Sequence, residues 1–417
     1  MHVLFFTPAF PPFIGGGERY ARSLALALAA CDQQVTVITT KARREQQLWQ
    51  GTDNGGVDLQ RDGPLTLIRC PLRPMPGGWR GLLAWRKAMV LLSLLPGDQT
   101  SLLRAMARRV PGLMGVQQAL SYLPARPDVV HGFNLSWEYP LLLAREFALR
   151  EALPLVITPF AHFGGGDRAR MARNATMDHQ RRLLNEAQAV LALTSSENMG
   201  FARWYIHPQR VAVVGVGVGE PPPVHAASGV LSRFALQKPF ALFVGRANRD
   251  KGAIHAAKAT LRLVEQGYAL TLALVGRTAD DFAQYLARLD GASQARIRLL
   301  GALDEADKHA LLQEASMLLL PSQAESFGIV ILEAWQHGTA VVGARAGGIT
   351  GVVDDGKNGL LVPYGDVPAL ADAMQRLLDD AALRNSLGRR GKEKVQREYT
   401  WAQVVKRVLA IYDEVAI

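Results

Sequence analysis

Two carboxylates separated by eight positions stand out as candidates for chemistry. Glu325 and Glu333 lie in the stretch Pro321-Ser-Gln-Ala-Glu-Ser-Phe-Gly-Ile-Val-Ile-Leu-Glu. The apolar run Met317–Leu320 predicts a strand, which is followed by a Pro-Ser loop and then by an apolar helix. Across a loop and the first turns of a helix, two acids at this spacing can face one site. The simpler interpretation is a capping carboxylate and a second, solvent-facing one.

The start of that helix is also a candidate anion site. Backbone N–H groups around Phe327, Gly328 and Ile329 would form its N-terminus, which carries partial positive charge. Glu333 follows among apolar residues, and a carboxylate in such surroundings needs a hydrogen-bonding partner.

Two cations follow another apparent strand. The stretch Phe240–Val244 is apolar, and Arg246 and Lys251 stand five residues apart in the loop after it. Ligands of open α/β sheets bind at the carboxyl ends of strands. Two cations placed there could bind a diphosphate and stabilise it as a leaving group. A solvated loop is the alternative.

A run of three glycines, Gly15-Gly16-Gly17, precedes the alanine- and leucine-rich helix pattern at Arg19–Ala30. Glycines allow close backbone approach to a ligand, and a helix N-terminus suits a phosphate. A tight turn without a ligand is equally consistent with these residues.

The elements that would position these groups repeat twice along the chain. Strand, glycine loop, helix and strand at Val3–Thr39 form a βαβ unit, which implies a parallel sheet. The pattern begins again at Phe240, after the glycine- and proline-rich stretch 215–235. We therefore expect two doubly wound α/β domains, at 1–220 and 221–400, with a C-terminal helix at 401–417 that could pack back on the first. The predicted strands are Val3–Thr7, Val35–Thr39, Val129–His131, Pro154–Thr158, Ala189–Leu193, Val211–Val214, Phe240–Val244, Leu270–Val275, Ile297–Leu300, Met317–Leu320, Ala340–Gly343 and Leu360–Val362.

Composition narrows the function classes. The 417 residues are 49% apolar and 20% charged, which is typical of globular proteins and argues against disorder. With two cysteines and no Cys/His spacing, neither a disulfide framework nor a zinc site is expected. The apolar runs are too short for a membrane-spanning helix, and the N-terminus lacks the pattern of a secretory signal. The net charge of +10 favours anionic partners: nucleic acid, anionic lipid or phosphorylated small molecules.

Residues 69–126 do not fit the βαβ rhythm. Tryptophans and leucines alternate there with cations such as Arg80, Arg86, Lys87, Arg108 and Arg109. This predicts an inserted segment of cationic amphipathic helices that could rest on an anionic membrane. Helices packed on their own domain, with solvated arginines, are the alternative.

Taken together, the motifs resemble those of glycosyltransferase family 4. The family's E-x7-E motif matches Glu325 and Glu333, and the run Val244–Gly252 resembles its diphosphate-binding element. Gly15–Arg19 resembles its N-terminal glycine loop, and the segments His337–Val342 and Asp355–Pro363 also match. The resemblance covers both halves of the chain in order, without the insertion. It implies the GT-B fold, two Rossmann-like domains facing each other across a cleft.

The resemblance also implies roles for individual residues. Arg246 and Lys251 would bind the donor diphosphate, Glu325 would face the donor sugar, and Glu333 would hold the ribose hydroxyls. The backbone at Phe327, Gly328 and Ile329 would contact phosphate or sugar. Gly16 and Gly17 would approach the diphosphate from the N-terminal domain. His162 matches a histidine that family members place near the transferred sugar, although a lone histidine is more often structural.

The implied reaction is retaining transfer of a hexose from a nucleotide sugar, GDP-mannose or a UDP-sugar, to an acceptor hydroxyl. We expect no cofactor and no metal, because Arg246 and Lys251 supply the positive charge. Partners would be the donor, a glycan or lipid-linked acceptor of bacterial surface glycan synthesis, and an anionic membrane surface contacted by 69–126. We expect a cytoplasmic location, peripheral at the inner face of the membrane, and no nucleic-acid binding. The alternatives are an epimerase or phosphorylase of similar fold, or an inactive sugar-nucleotide binder.

Overall fold

The structure is a computed structural model that describes residues 1–13, 15–53, 55–161, 173–203, 211–223, 227–323 and 325–416. The chain divides into two compact units. The first comprises Met1–Gly217 and Trp401–Ile417, and the second comprises Val218–Thr400.

The first unit contains an eight-stranded sheet, ordered β10-β9-β8-β7-β1-β2-β4-β3. All neighbouring pairs are parallel except β3 with β4. A short antiparallel pair, β5 with β6, forms a separate sheet. The strands are β1 (His2–Phe6), β2 (Gln34–Thr40), β3 (Asp58–Asp62), β4 (Leu65–Cys70), β5 (Leu72–Arg73), β6 (Gly112–Leu113), β7 (Val129–Phe133), β8 (Leu155–Thr158), β9 (Ala189–Ala192) and β10 (Val211–Val213).

Helices surround this sheet in the alternating manner of a doubly wound fold. They are α1 (Gly16–Ala29), α2 (Gln47–Gln50), α3 (Gly78–Leu92), α4 (Thr100–Ala107), α5 (Val116–Ser121), α6 (Glu138–Glu151), α7 (Asp178–Glu186) and α8 (Ser195–Arg203). The C-terminal helix Trp401–Val415 belongs to the same unit and contacts α1. There the Tyr412 hydroxyl lies 2.5 Å from Nδ1 of the buried His131 on β7.

The second unit contains a six-stranded, fully parallel sheet ordered β13-β12-β11-β14-β15-β16, the strand order of a Rossmann fold. Its strands are β11 (Phe240–Val244), β12 (Thr271–Val275), β13 (Ile297–Gly301), β14 (Met317–Leu320), β15 (Val341–Ala344) and β16 (Leu360–Val362). The helices are α9 (Ala227–Arg233), α10 (Ala253–Glu265), α11 (Asp280–Leu286), α12 (Gly291–Ala295), α13 (Glu305–Glu314), α14 (Ile329–Gln336), α15 (Ile349–Val352), α16 (Val367–Asp379) and α17 (Ala381–Glu398); the helix Trp401–Val415 is α18.

Burial explains why the strand predictions succeed. The central strands β1, β7 and β14 are buried along their whole length, since helices cover both faces of a parallel sheet. Such strands appear in the sequence as continuous apolar runs. The predicted strands at Phe240–Val244, Met317–Leu320 and Leu360–Val362 match the structure residue for residue.

Four strands were not predicted: β3, β4, β5 and β6. β3 is exposed along its whole length and has the polar sequence Asp-Leu-Gln-Arg-Asp, so it lacks the alternation of a half-buried strand. It pairs antiparallel to β4 at the edge of the sheet, where a polar, solvated strand is tolerated.

No helix of the described residues is long and apolar enough to cross a bilayer.

Candidate functional site

The two loops that carry the candidate residues of the second unit leave adjacent strands. β11 pairs with β14 in parallel, so the loops 245–252 and 321–328 emerge from the same edge of the sheet. The strand order runs outward in opposite directions from this pair. Ligands of doubly wound folds bind at such a switch point, outside the carboxyl ends of the strands.

Glycines allow these loops to approach each other. Gly252 has a φ of +79°, and a Cβ at this position would lie 2.0 Å from the carbonyl oxygen of Pro321. The Gln323 N–H donates to the Asp250 carbonyl oxygen at 2.9 Å and ties the loops together. Any larger residue at 252 would push the loops apart.

A second glycine pair holds the acidic loop from the other side. Gly348 N–H donates to the carbonyl oxygen of Glu325 at 2.7 Å. A Cβ on Gly347 would lie 2.7 Å from that same oxygen, and one on Gly348 would lie 2.0 Å from the Ser326 oxygen. The backbone of Glu325 is therefore fixed by contacts that only glycine permits.

Lys251 and Glu325 form an ion pair at this point. The Lys251 Nζ lies 2.6 Å from Glu325 Oε1, and the two side chains remain 34% and 17% exposed. An ammonium has three donors. This contact uses one of them, so two N–H groups remain for the oxygens of a phosphate.

Arg246 lies on the same loop with an exposed side chain. Among the described residues it has no ion-pair partner, so its charge is available to an anionic ligand. Phe327 is buried, whereas Gly328 and Ile329 are only partly so. Gly328 caps α14 in the left-handed conformation, with a φ of +82°. Its backbone therefore starts the helix at the same edge as the two loops.

Glu333 lies one turn into α14 and is buried, with 9% of its surface exposed. Its partner is Lys308 on α13, whose Nζ lies 2.9 Å from Glu333 Oε1 and 2.7 Å from Glu305 Oε2. Sequence reasoning required a partner for Glu333 but did not find Lys308. Residues from distant parts of the chain meet here only because α13 packs against α14.

One group of the described residues has the geometry to hold a metal ion. A ligand atom from each of Glu305, His309 and Glu333 lies within 4.8 Å of the other two. The Lys308 ammonium already contacts both of these carboxylates and supplies a positive charge there. His309 Nδ1 lies 2.8 Å from His337 Nε2, and burial lowers the pKa of each histidine to about 4.

In the first unit, the glycine loop lies at the start of α1, in the segment that connects β1 to this helix. The Glu18 carboxylate folds back over Gly15, where a Cβ would lie 2.1 Å from Oε2, and burial raises the pKa of Glu18. A Cβ on Gly17 would lie 2.9 Å from the Phe160 ring, whereas one on Gly16 would meet no atom of the described residues within 4 Å. Gly17 thus has a packing role, and Gly16 does not.

His162 lies outside the described residues. The residue before it, Ala161, donates its N–H to Glu197 Oε1 at 2.8 Å, and Leu193 N–H donates to Glu197 Oε2 at 2.7 Å. Burial raises the pKa of the Glu197 carboxyl to about 7. Sequence reasoning missed Glu197, although Thr194-x-x-Glu197 has the spacing of a capping box, and the Glu197 N–H does donate to Thr194 Oγ1 at 3.0 Å.

Family models match both units. Residues 15–217 match a glycosyl transferase 4-like domain, and residues 232–394 match the glycosyl transferases group 1 domain. The two matches together cover most of the chain and contain the glycine loop, both cations and both acids. The chain belongs to glycosyltransferase family 4, and the predicted pair of Rossmann-like α/β domains is confirmed.

Curated relatives include several sugar-transferring enzymes. The chain is 31% identical to an alpha-maltose-1-phosphate synthase of Mycolicibacterium smegmatis. The match covers 57% of this chain and 66% of the synthase, so the chain spans just under two thirds of that relative's length. It is 27% identical to a glycogen synthase of Mycobacterium tuberculosis over 99% of this chain and 94% of that protein. A phosphatidyl-myo-inositol mannosyltransferase of Mycobacterium leprae is 36% identical to this chain, over 42% of this chain and 46% of the mannosyltransferase.

Solved structures share the fold at low sequence identity. A sucrose-phosphate synthase from Thermosynechococcus elongatus superposes with a TM-score of 0.70 at 20% identity, over 99% of this chain and 98% of that one. HepE of Anabaena, crystallised with UDP, superposes with a TM-score of 0.68 at 18% identity. The superposition covers 99% of this chain and 100% of HepE.

Proposed function

We propose that this protein is a retaining glycosyltransferase that transfers a hexosyl group from a nucleoside diphosphate sugar to an acceptor hydroxyl. The donor would be GDP-mannose or a UDP-sugar. The acceptor would be a lipid-linked sugar or a growing polysaccharide in bacterial surface glycan synthesis. Family membership supports the reaction class, and the complex of HepE with UDP supports a nucleotide donor.

The observation that carries this proposal is the Lys251–Glu325 pair at the switch point of the second sheet. A cation and an acid, fixed side by side on loops from adjacent strands, suit a ligand that has a diphosphate next to sugar hydroxyls. Lys251 would bind phosphate oxygens together with Arg246, while Glu325 would accept hydrogen bonds from the sugar. Glu333, oriented by Lys308, would accept hydrogen bonds from the ribose hydroxyls.

In the proposed reaction, the bond between the anomeric carbon and the β-phosphate oxygen breaks on the same face on which the acceptor oxygen attacks. The acceptor proton passes to the departing phosphate oxygen, so the products are the glycoside and the nucleoside diphosphate. Negative charge grows on the diphosphate as the bond breaks. Arg246 and Lys251 would stabilise that charge, and the protein would otherwise act by orienting its two substrates.

This arrangement supports a metal-independent reaction, since two cations, Arg246 and Lys251, supply the charge that a divalent ion would otherwise provide. We expect turnover to persist in a chelating buffer. Loss of turnover on chelation, restored by added divalent ion, would contradict this part of the proposal.

The test begins with a thermal-shift panel of UDP, GDP, ADP and their sugar derivatives. A ligand that binds only the folded state raises the melting temperature by mass action. The sugar nucleotide that gives the largest shift is then incubated with glycan acceptors, and the anomeric configuration of the product is determined by NMR. We expect retention. No shift with any nucleotide, or an inverted product, would refute the proposal.

A further inference from the structure

A groove of about 840 Å3 lies on the first unit. One wall is a face of α3 that presents Trp79, Leu83 and Leu91, continued by Leu94 just after the helix. The opposite side includes Ser136 and Trp137, which follow β7, and Arg173 and Asn174, which precede α7. Its volume falls in the range of roughly 300–1,000 Å3 typical of small-molecule sites.

The position of the groove in the fold is that of a ligand site. β1 and β7 are neighbours from which the strand order runs outward in both directions, so they mark the switch point of this sheet. Ser136 lies just beyond the carboxyl end of β7. Glu45, which also lines the groove, contributes to raising the pKa of Glu18 in the glycine loop, after the larger effect of burial. The groove and the glycine loop, which follows β1, therefore lie at the same edge of the sheet.

A buried ion pair fixes the two sides of the groove relative to each other. The Arg86 guanidinium on α3 donates to the carboxylate of Glu138 and to the carbonyl oxygen of Ser136. Glu138 is fully buried and also accepts from Gln180 Nε2 at 2.9 Å. Burial acts to raise the pKa of Glu138, but Arg86, assisted by His179, lowers it below its usual range. These contacts therefore hold α3 against the segment after β7 and define the shape of the groove.

The α3 wall is apolar and exposed. Trp79, Leu83, Leu91 and Leu94 expose 49%, 49%, 57% and 56% of their surfaces. Trp85 and Met89 of the same helix pack inward instead, and the buried Leu82 packs into a second apolar cluster while also lining the groove. A helix with one packed face and a second, exposed apolar face has surface available for an apolar ligand.

The charged residues of the groove define the other end of that ligand. Lys87 and Arg173 line it with exposed side chains and have no ion-pair partner among the described residues. Arg86 is already neutralised by Glu138, and Glu45 is the one acid among the described residues of the lining. The two available cations complement an anionic head group such as a phosphate.

We propose that this groove binds a single anionic amphiphile, with its apolar chain along α3 and a phosphate-type head group at Lys87 and Arg173. The inference rests on the proposed function, and it makes this amphiphile the acceptor class. An amphiphile bound here would place its head group at the carboxyl edge of the sheet, near the glycine loop.

Titration calorimetry with monododecyl phosphate, kept below its micelle-forming concentration, tests the proposal. We expect one molecule bound per chain. Leu83→Glu and Leu91→Glu should each weaken binding at least about tenfold, because each places a charge against the apolar chain. Leu149→Glu is the matched control, since Leu149 is 64% exposed on α6 and does not line the groove. It should bind as the wild type does.

Two further probes separate the head group from the chain. Lys87→Glu should weaken binding of monododecyl phosphate but not of dodecyl maltoside, and inorganic phosphate alone should bind far more weakly than either. Binding to anionic vesicles without stoichiometric binding of the monomer would overturn the groove proposal in favour of surface docking. Equal binding by all the leucine variants would also overturn it. Nucleotide shifts measured on the same variants report separately on the proposed function.

Discussion

Gly16 and Gly17 are adjacent, yet a side chain would meet different surroundings at each. A Cβ on Gly16 would meet no atom of the described residues within 4 Å, whereas a Cβ on Gly17 would lie 2.9 Å from the ring of Phe160. Without a ligand, Gly16→Ala should therefore be neutral or stabilise the fold by about 0.4–1 kcal/mol. Gly17→Ala should destabilise it by about 1–3 kcal/mol through overpacking.

Activity separates a ligand-binding glycine from a structural one. If substrate packs against the backbone of Gly16, Gly16→Ala should lower the turnover number on the order of 10²-fold while the melting temperature is kept. Thermal denaturation and a nucleoside diphosphate release assay on both variants make this comparison. Full turnover in Gly16→Ala would mean that the glycine run is only a turn.

At the residue scale, motif residues are predictable and their partners are not. Glu325, Arg246 and Lys251 are identifiable because their types and spacing are fixed within short stretches. Lys308 and Glu197 are not, since each acquires its role by meeting a residue far along the chain: Glu333 for the first and Ala161 for the second. Nothing local in the sequence distinguishes Lys308 from a solvated lysine.

At the scale of elements, a buried polar contact helps to hold α18 on the first unit. Tyr412 is fully buried, and its hydroxyl bonds to His131, whose other ring nitrogen lies 2.8 Å from Thr158 Oγ1. Tyr412→Phe would leave one nitrogen of a buried imidazole unpaired. We expect a loss of about 1–3 kcal/mol in the free energy of unfolding, measured by denaturant titration. An unchanged stability would contradict the role given to this contact.

The helices of the insertion carry a second prediction, about membranes. Arg86 and Arg108 form ion pairs with Glu138 and Glu146, so the exposed cations Arg80, Lys87 and Arg109 are the better candidates for contact with anionic lipid. Reversing these three to glutamate should weaken sedimentation with anionic vesicles at low salt about 100-fold, at about 1 kcal/mol per charge.

The matched control changes the net charge equally elsewhere. Lys258, Arg262 and Arg277 are exposed residues of the second unit, and reversing them should leave vesicle binding nearly intact. Equal loss in both triple variants would indicate a general effect of net charge rather than a surface on the insertion.

A strand can be predicted from the sequence when it is buried along its whole length, and a helix can be predicted when its apolar residues lie on one face. α1 shows one apolar face, and the sequence predicts it to within a few residues. α6 was not predicted, because its apolar residues point in nearly all directions: it is buried on several sides, and its helical period is weak. The composition of residues 69–126 identifies them as an insertion. The groove could not be predicted, because its lining combines residues that are far apart in the sequence.

At the scale of the whole molecule, histidines with lowered pKa values should make stability depend on pH, and three of them have the largest shifts. Burial lowers the pKa of His131 to about 3 and those of His309 and His337 to about 4. The unfolded chain, with ordinary values near 6.5, takes up protons first as the pH falls. Their contribution to stability is therefore complete above about pH 6.5 and is lost progressively towards pH 4.

Glu197 acts in the opposite direction. Its pKa is raised from 4.5 to about 7, so its contribution is complete below pH 4.5 and is lost as the pH rises through 7. Burial also raises the pKa of Glu18, and it lowers the pKa of His2 and of His255. Because five histidines oppose two acids, we expect the melting temperature to rise between pH 4.5 and 6.5. Replacing His309 and His337 together with glutamine should reduce that slope. An identical slope in wild type and variant would contradict this account.

The central claim is that the second unit binds the diphosphate of a nucleotide sugar through Lys251 and Arg246. The most direct measurement compares the affinities of wild type, Lys251→Met, Arg246→Met and the control Lys258→Met for the preferred nucleoside diphosphate and for its nucleoside. Loss of a charge-assisted hydrogen bond, about 1.5–3 kcal/mol, predicts diphosphate binding about 10–100-fold weaker in the first two variants, with nucleoside binding and the control unchanged. Undiminished diphosphate binding in both site variants would contradict the account.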